Sequence, residues 1–267
     1  MNLLIIGDVV GSPGRSILKK ALPVVRKRYD VEYVIANVEN AAGGFGVTKD
    51  VCDEILDAGV DCLTSGNHIW DKKEILSVVD LIPQLLRPLN YPSGQPGRGS
   101  HVGRSRPSGV PVATLNLSGR VFMHGAMDDP FALGRREVER LRSEAKVIVV
   151  DMHGEATSEK VAIGYYLDGL VTAVVGTHTH VPTCDHRLLP KGTAYCSDLG
   201  MTGPYDSVIG VEKAAVISRF LTGMPSRFET AKGDPRFAAA VVDADPETGL
   251  ARSIERMLLA AGDLEGL

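Results

Sequence analysis

Four short phrases close runs of apolar, often β-branched residues in this chain: Gly7-Asp8-Val9-Val10-Gly11, Asn37-Val38-Glu39-Asn40, Gly66-Asn67-His68 and Gly176-Thr177-His178-Thr179-His180. Each sets a carboxylate, an amide or an imidazole where a buried strand meets solvent, and donors of these kinds gathered in such places point to a metal site. Carboxylate oxygen, amide oxygen and imidazole together suit first-row transition metals. Calcium takes oxygens alone, and structural zinc favours thiolate with imidazole. The chemistry to expect is metal-dependent hydrolysis.

A lone Asp after a strand is ordinarily a turn or helix cap, and a lone His is ordinarily hydrogen-bonded structure. Here Asp8, Glu39, Asn67, His153, His178 and His180 all fall at the carboxyl ends of strands, where open α/β sheets form their ligand crevices. In an extended strand His178 and His180 would face the same side, about 6–7 Å apart. Two metals about 3.5–4 Å apart could share such an edge through a bridging carboxylate. Glu39 is the candidate bridge.

The elements that must position these groups alternate along the chain. Leu3-Leu4-Ile5-Ile6 reads as a strand buried on both faces of a parallel sheet. Ser12 at the N-cap with Pro13 behind it predicts a helix through Ile17, Leu18, Ala21, Leu22 and Val25. Strands follow over Tyr33 to Val38 and Val60 to Thr64, with a helix between them capped by Thr48. After a helical stretch from Ile75 to Ile82, the Gly-, Pro- and Arg-rich segment Asn90 to Pro107 reads as a long surface loop. Strands at Val110 to Leu117, Val121 to Met123, Lys146 to Asp151 and Val171 to Val175 then alternate with helices around Arg135 to Glu144 and Ser158 to Leu167. Late on, Ala194 to Cys196, Val208 to Val211, Ala214 to Phe220 and Phe237 to Val242 read as antiparallel strands, and Ile254 to Ala261 is ambiguous. The expected fold is an α/β sandwich whose mixed sheet begins parallel and finishes antiparallel.

With 267 residues, 44% of them hydrophobic, the chain can bury a sizeable core, and a single domain over 1–267 is the simplest organisation. A formal net charge of −4 argues against strong binding to duplex nucleic acid. A small phosphorylated substrate stays compatible with it, because bound cations supply positive charge locally. The four cysteines form no CxxC pair, and nothing before the first strand reads as a signal peptide, so a reduced, cytoplasmic protein is expected. No apolar stretch approaches the roughly 20 residues that span a bilayer.

In order and spacing these phrases, with His153-Gly154-Glu155-Ala156-Thr157-Ser158-Glu159-Lys160, resemble the YmdB-like branch of the calcineurin-like metallophosphoesterases over nearly the whole chain. The resemblance implies a metallophosphoesterase-type sandwich of mixed β-sheets flanked by helices, with the active site at the strand ends. It further implies that Asp8, Glu39 and His180 bind one metal while Glu39, Asn67, His153 and His178 bind the other. Asn40 becomes an additional ligand or a substrate contact, and His68 the histidine that stabilises or protonates the leaving oxygen. Iron or manganese is the metal pair that the family implies. Two departures from the wider superfamily stand out: Val10 replaces the histidine of the usual Asp-x-His, and Glu39 replaces the usual bridging Asp.

The expected activity is phosphodiester hydrolysis of small cyclic nucleotides, with 2′,3′-cyclic nucleotides suggested by the resemblance. A metal-bound hydroxide would attack in line, and His68 would assist the departing alkoxide. A phosphomonoesterase using the same groups is the nearest alternative, and a regulatory protein that holds a nucleotide or RNA end without turnover is another. Homo-oligomerisation through the late strands or the Asn90 to Pro107 loop is a further expectation. Gly43-Gly44-Phe45-Gly46 lacks a Walker lysine and reads as a flexible loop. Arg98, Arg104 and Arg106 read as solvated charges. Glu155, Thr157 and Ser158 are expected to orient His153 and cap the next helix, and His101, His124 and His186 take no role.

Overall fold

The computed structural model describes residues 1–267. Its elements run β1 (Asn2–Ile6), β2 (Asp8–Val9), α1 (Gly11–Arg28), β3 (Val31–Asn37), α2 (Lys49–Asp57), β4 (Cys62–Thr64) and α3 (Ile75–Val78). Then come β5 (Ser100–Arg104), β6 (Pro111–Ser118), α4 (Pro130–Leu141), β7 (Val147–His153), α5 (Thr157–Tyr166) and β8 (Ala173–Thr177). The chain closes with β9 (Arg187–Leu188), β10 (Ala194–Cys196), β11 (Met201–Pro204), α6 (Lys213–Thr222), β12 (Pro235–Ala244) and β13 (Ala251–Ala260).

The strands form two mixed sheets, ordered β2-β11-β12-β1-β3-β4, with β13 beside β12, and β5-β6-β7-β8-β10-β9. β1, β3 and β4 are parallel, as are β6, β7, β8 and β10, while β12 runs antiparallel to β1. The uninterrupted apolar run in β1 has a direct cause. Leu3 and Ile5 point inward, to a layer shared with Val147, Val149, Ala173 and Val175 of the other sheet. Leu4 and Ile6 point outward, under Ile17, Leu18 and Leu22 of α1. The second sheet repeats the scheme, with Ile148, Val150 and Val174 covered by Val138 and Leu141 of α4 and by Ile163 of α5. The result is a four-layer α/β/β/α sandwich, in which each buried Leu, Ile or Val contributes about 1.5–3 kcal/mol.

This layering puts the carboxyl ends of β1, β3, β4, β7 and β8 along one edge of the sandwich. The crevice therefore belongs to two sheets, because the segment after α3 carries the chain from the first sheet to the second.

Several elements differ from expectation, each for a local reason. Ala214 to Phe220 is the helix α6, which ends in the left-handed Gly223 whose N–H returns to the Arg219 carbonyl. Val208 to Val211 is a tight turn closed on itself by two backbone hydrogen bonds, with Ile209 and Gly210 at positive φ. Val121 to Met123 is also a turn, with Phe122 at φ 62°. The Asn90 to Pro107 segment is more than surface loop: Asn90 is fully buried and β5 pairs antiparallel with β6. Ile254 to Ala261 lies mostly in β13. α1 begins at Gly11 with Val10 at its N-cap and no side-chain cap, so Ser12 lies inside the helix. Thr48 does cap α2, accepting from the Val51 N–H at 3.3 Å. No helix is long and apolar enough to cross a membrane.

Candidate metal centre

The first group of donors forms around His153, the last residue of β7. Its Nε2 lies 3.0 Å from Asn67 Oδ1, 3.1 Å from Glu39 Oε1 and 3.1 Å from His178 Nδ1. Glu39, His153 and His178 each present a ligand atom within 4.8 Å of the others. This close approach requires Gly66, since a Cβ there would sit 2.1 Å from the His153 ring.

The second group gathers about Asp8. Its Oδ1 is 3.9 Å from His180 Nε2 and 4.0 Å from His153 Nδ1, and its Oδ2 accepts from the His178 N–H at 3.1 Å. Asn40 Nδ2 lies 3.1 Å from His180 Nε2 and 3.3 Å from Glu39 Oε1, so Asn40 and Glu39 stand between the two groups. Glu39 Oε2 accepts from the His68 N–H at 2.8 Å.

His178 and His180 do not share one side of an extended strand. β8 stops at Thr177, and both histidines have positive φ, 103° and 64°. The turn sends the His178 ring toward His153 and the His180 ring toward Asn40 and Asp8. One sequence pair thus serves both groups, which the period of a strand could not have revealed.

The donor set fits a cation on two counts. Asp8 and Glu39 are both almost wholly buried, yet Asp8 Oδ1 and Asn40 Oδ1 have no hydrogen-bond partner. A buried carboxylate oxygen without a donor is costly unless a positive charge faces it. Burial pushes the Asp8 carboxyl up to about 6, against the pull of His180 and His153. Burial also works to raise Glu39, but the charge and hydrogen bond of His153 outweigh it and hold that carboxyl at about 2. For His153, burial favours the neutral ring, and Glu39, Asp8 and Asp151 together overcome it to raise the imidazole to about 9. His178, buried beside that cationic ring, is pushed down to about 3.

His153 is oriented by residues that were not singled out as functional. Its Nδ1 meets Thr177 Oγ1 at 2.9 Å, and that hydroxyl donates to Asp151 Oδ1 at 2.7 Å. Asp151 Oδ2 accepts from Asn37 Nδ2 at 3.2 Å and from the Thr64 hydroxyl. This carboxylate–hydroxyl–imidazole line leaves Nε2 free to act as a ligand. The spacing carried a signal: Asp151 and His153 are two apart in β7 and so share a face.

Glu155, Thr157 and Ser158 do not orient His153. α5 has Ala156 at its N-cap with no side-chain cap, and Glu155 Oε2 instead lies 3.3 Å from His178 Nε2. The His178–His180 turn is held by a buried pair, Lys160 and Asp198. Lys160 Nζ donates to Asp198 Oδ2 and to the Thr177 carbonyl, each at 2.7 Å, and Asp198 also accepts from the Thr179 N–H.

Above the donors lies a cleft of about 250 Å³. His68 borders it, with Nδ1 2.7 Å from Asp71 Oδ2 and its ring edge-on to Phe45. The glycine-rich turn is a wall of the cleft, with Ala42 N–H bonded to the Gly46 carbonyl and Gly44 against Thr230. Ile209, Val211 and Phe228, from segments with no regular pattern, form the far wall. Arg98, Arg104, Arg106, His101, His124 and His186 lie outside the cleft lining.

Comparison with known proteins gives consistent relatives. A family model described as YmdB-like protein matches residues 4–257. A 2′,3′-cyclic-nucleotide 2′-phosphodiesterase of Bacillus subtilis (strain 168) is 46% identical, over 97% of this chain and 97% of its own. A crystal structure of a hypothetical protein from Thermus thermophilus superposes with a TM-score of 0.89 at 43% identity, covering 97% of this chain and 99% of that one. One described as a novel phosphatase from Mycoplasma pneumoniae gives a TM-score of 0.90 at 33% identity, over 97% and 93% of the two chains.

Proposed function

This chain belongs to the YmdB-like family, of the metallophosphoesterase type, and from that membership we propose a dinuclear metal-dependent phosphodiesterase that opens small cyclic nucleotides, 2′,3′-cyclic nucleotides first among them. The observation that carries the reading is the buried Asp8 Oδ1, without a donor yet facing His180 and His153 across about 4 Å. Asp8, His180 and Asn40 would hold one ion, Asn67, His153 and His178 the other, and Glu39 would reach both. Divalent ions in such a site activate water near neutral pH and offset charge on phosphoryl oxygens. Iron or manganese is the choice that the family resemblance implies, and carboxylate, amide and imidazole donors admit either.

The chain's own groups do the rest. Thr177 and Asp151 fix the His153 ring so that Nε2 faces Asn67, Glu39 and His178. The Glu39 carboxylate is held by the His68 N–H, which ties that residue's backbone to the donor cluster. Asp71 accepts from His68 Nδ1 and orients the ring, so that its Nε2 would assist the departing alkoxide. Phe45 packs on that imidazole and limits its rotation. Asn40 would meet the ion through the amide oxygen that has no partner within the protein.

The test is hydrolysis of 2′,3′-cAMP with and without Mn²⁺ by the wild type and by Asn67→Ala and His68→Ala. Loss of activity without metal and in Asn67→Ala, with a large fall in kcat for His68→Ala, is expected. Equal rates in all samples would end the assignment. A phosphomonoesterase is the second reading, favoured by the phosphatase description of the Mycoplasma pneumoniae structure. Comparing p-nitrophenyl phosphate with its bis ester separates the two.

A further inference from the structure

Beside the metal cleft lies a second cavity of about 440 Å³. Ile209, Val211 and Phe228 line both spaces. Beyond them Val216 and Phe220 of α6 make the wall apolar, and Arg219 is its one charged residue. The Arg219 guanidinium carbon sits 5.2 Å from the centroid of the Phe228 ring.

We propose that this second cavity is the nucleobase subsite, in which the base of a cyclic nucleotide stacks on Phe228 while its phosphate reaches the donors below. The inference rests on the phosphodiesterase reading above and specifies how that substrate is held.

Shape and size favour it. The cleft over the metal donors, at about 250 Å³, is small for a whole nucleotide, whereas the adjoining cavity alone falls in the range of about 300–1,000 Å³ usual for ligand pockets. Chemistry favours it as well. Polar, charge-bearing groups crowd the first cleft, and the second offers an aromatic face, aliphatic side chains and a guanidinium. That is the composition that stacks bases without reading their edges. Arg219 supplies the only polar side chain there, so discrimination among adenine, guanine, cytosine and uracil should be weak.

The boundary between the two spaces is itself constrained. Ile209 is β-branched yet sits at φ 47°, a conformation that such residues rarely adopt outside functional sites. Its carbonyl accepts from His180 Nδ1 at 2.8 Å. The rim of the apolar cavity is therefore hydrogen-bonded to a donor of the metal centre, which keeps base and phosphate positions in register.

The experiment compares 2′,3′-cAMP with glycerol 1,2-cyclic phosphate, a cyclic diester without a base, and measures calorimetric binding of 3′-AMP. The manganese-loaded wild type should show kcat/KM at least tenfold higher for 2′,3′-cAMP, Phe228→Ala should bring the ratio close to one, and Phe228→Tyr should restore it. Binding of 3′-AMP should weaken about tenfold in Phe228→Ala and stay near wild type in Phe228→Tyr. Turnover of both esters with equal kcat/KM by the wild type overturns the subsite while leaving the activity intact. Should neither ester turn over, the activity reading fails, and 3′-AMP binding still decides the subsite. Equal affinity in wild type and Phe228→Ala overturns it; selective weakening supports it.

Discussion

Replacing Thr177 by Val removes a single hydroxyl while keeping a β-branched side chain of similar shape at the end of β8. That hydroxyl accepts from His153 Nδ1 and donates to Asp151 Oδ1, and both partners are buried. Asp151 keeps Asn37 and Thr64 on its other oxygen, so one carboxylate oxygen and one ring N–H are orphaned. An unsatisfied buried group costs about 1–3 kcal/mol, which puts the total at about 3 kcal/mol. At about 2–4 °C per kcal/mol for a chain of this size, Tm should fall by roughly 6–12 °C. The His153 ring also loses the group that fixes its tautomer, a change that typically weakens metal binding about 10–100-fold. Calorimetric titration of metal-free protein with Mn²⁺, alongside a thermal melt, reads both effects. Affinity within twofold of wild type would refute the view that Asp151 acts on the metal site through Thr177.

Gly66→Ala should be worse than an ordinary loop substitution, because the new Cβ would overlap the His153 ring; metal content by elemental analysis should drop well below that of wild type while circular dichroism stays native-like. In the metal-free chain His153 holds its proton up to about pH 9, and ligation requires the neutral ring. Loading at pH 7 should therefore release a proton, with apparent affinity rising up to about tenfold per pH unit and levelling above pH 9. Calorimetry in two buffers of different ionisation enthalpy counts that proton, and a count of zero contradicts the argument. Lys160→Met leaves the buried Asp198 carboxylate without its cation, and a loss of about 3–5 kcal/mol should appear as a lower urea midpoint.

Much of this protein was decided by local rules visible in its residues. Runs such as Leu3 to Ile6 have nowhere to go but a strand covered on both faces, and polar residues that end such runs must emerge at the rim of a sheet. That logic picked out Asp8, Glu39, Asn67, His153, His178 and His180 from residue types and spacing alone, and the structure brings all six together. Thr48 could be read as a cap because its bond closes within three residues.

What stayed hidden depends on contacts between distant segments. Ala214 to Phe220 has enough β-branched and aromatic residues to pass for a strand, and only its position and the Gly223 cap make it the helix α6. The divergence of His178 and His180 follows from two positive-φ residues held by Lys160 and Asp198, a pair separated by 38 positions in sequence. The Asp151–Thr177–His153 line joins two strands, and the far wall of the cleft is assembled from irregular segments around Ile209 and Phe228. Periodicity describes one element against a core; it holds no information on which two strands will lie side by side, and that pairing is what orients each donor.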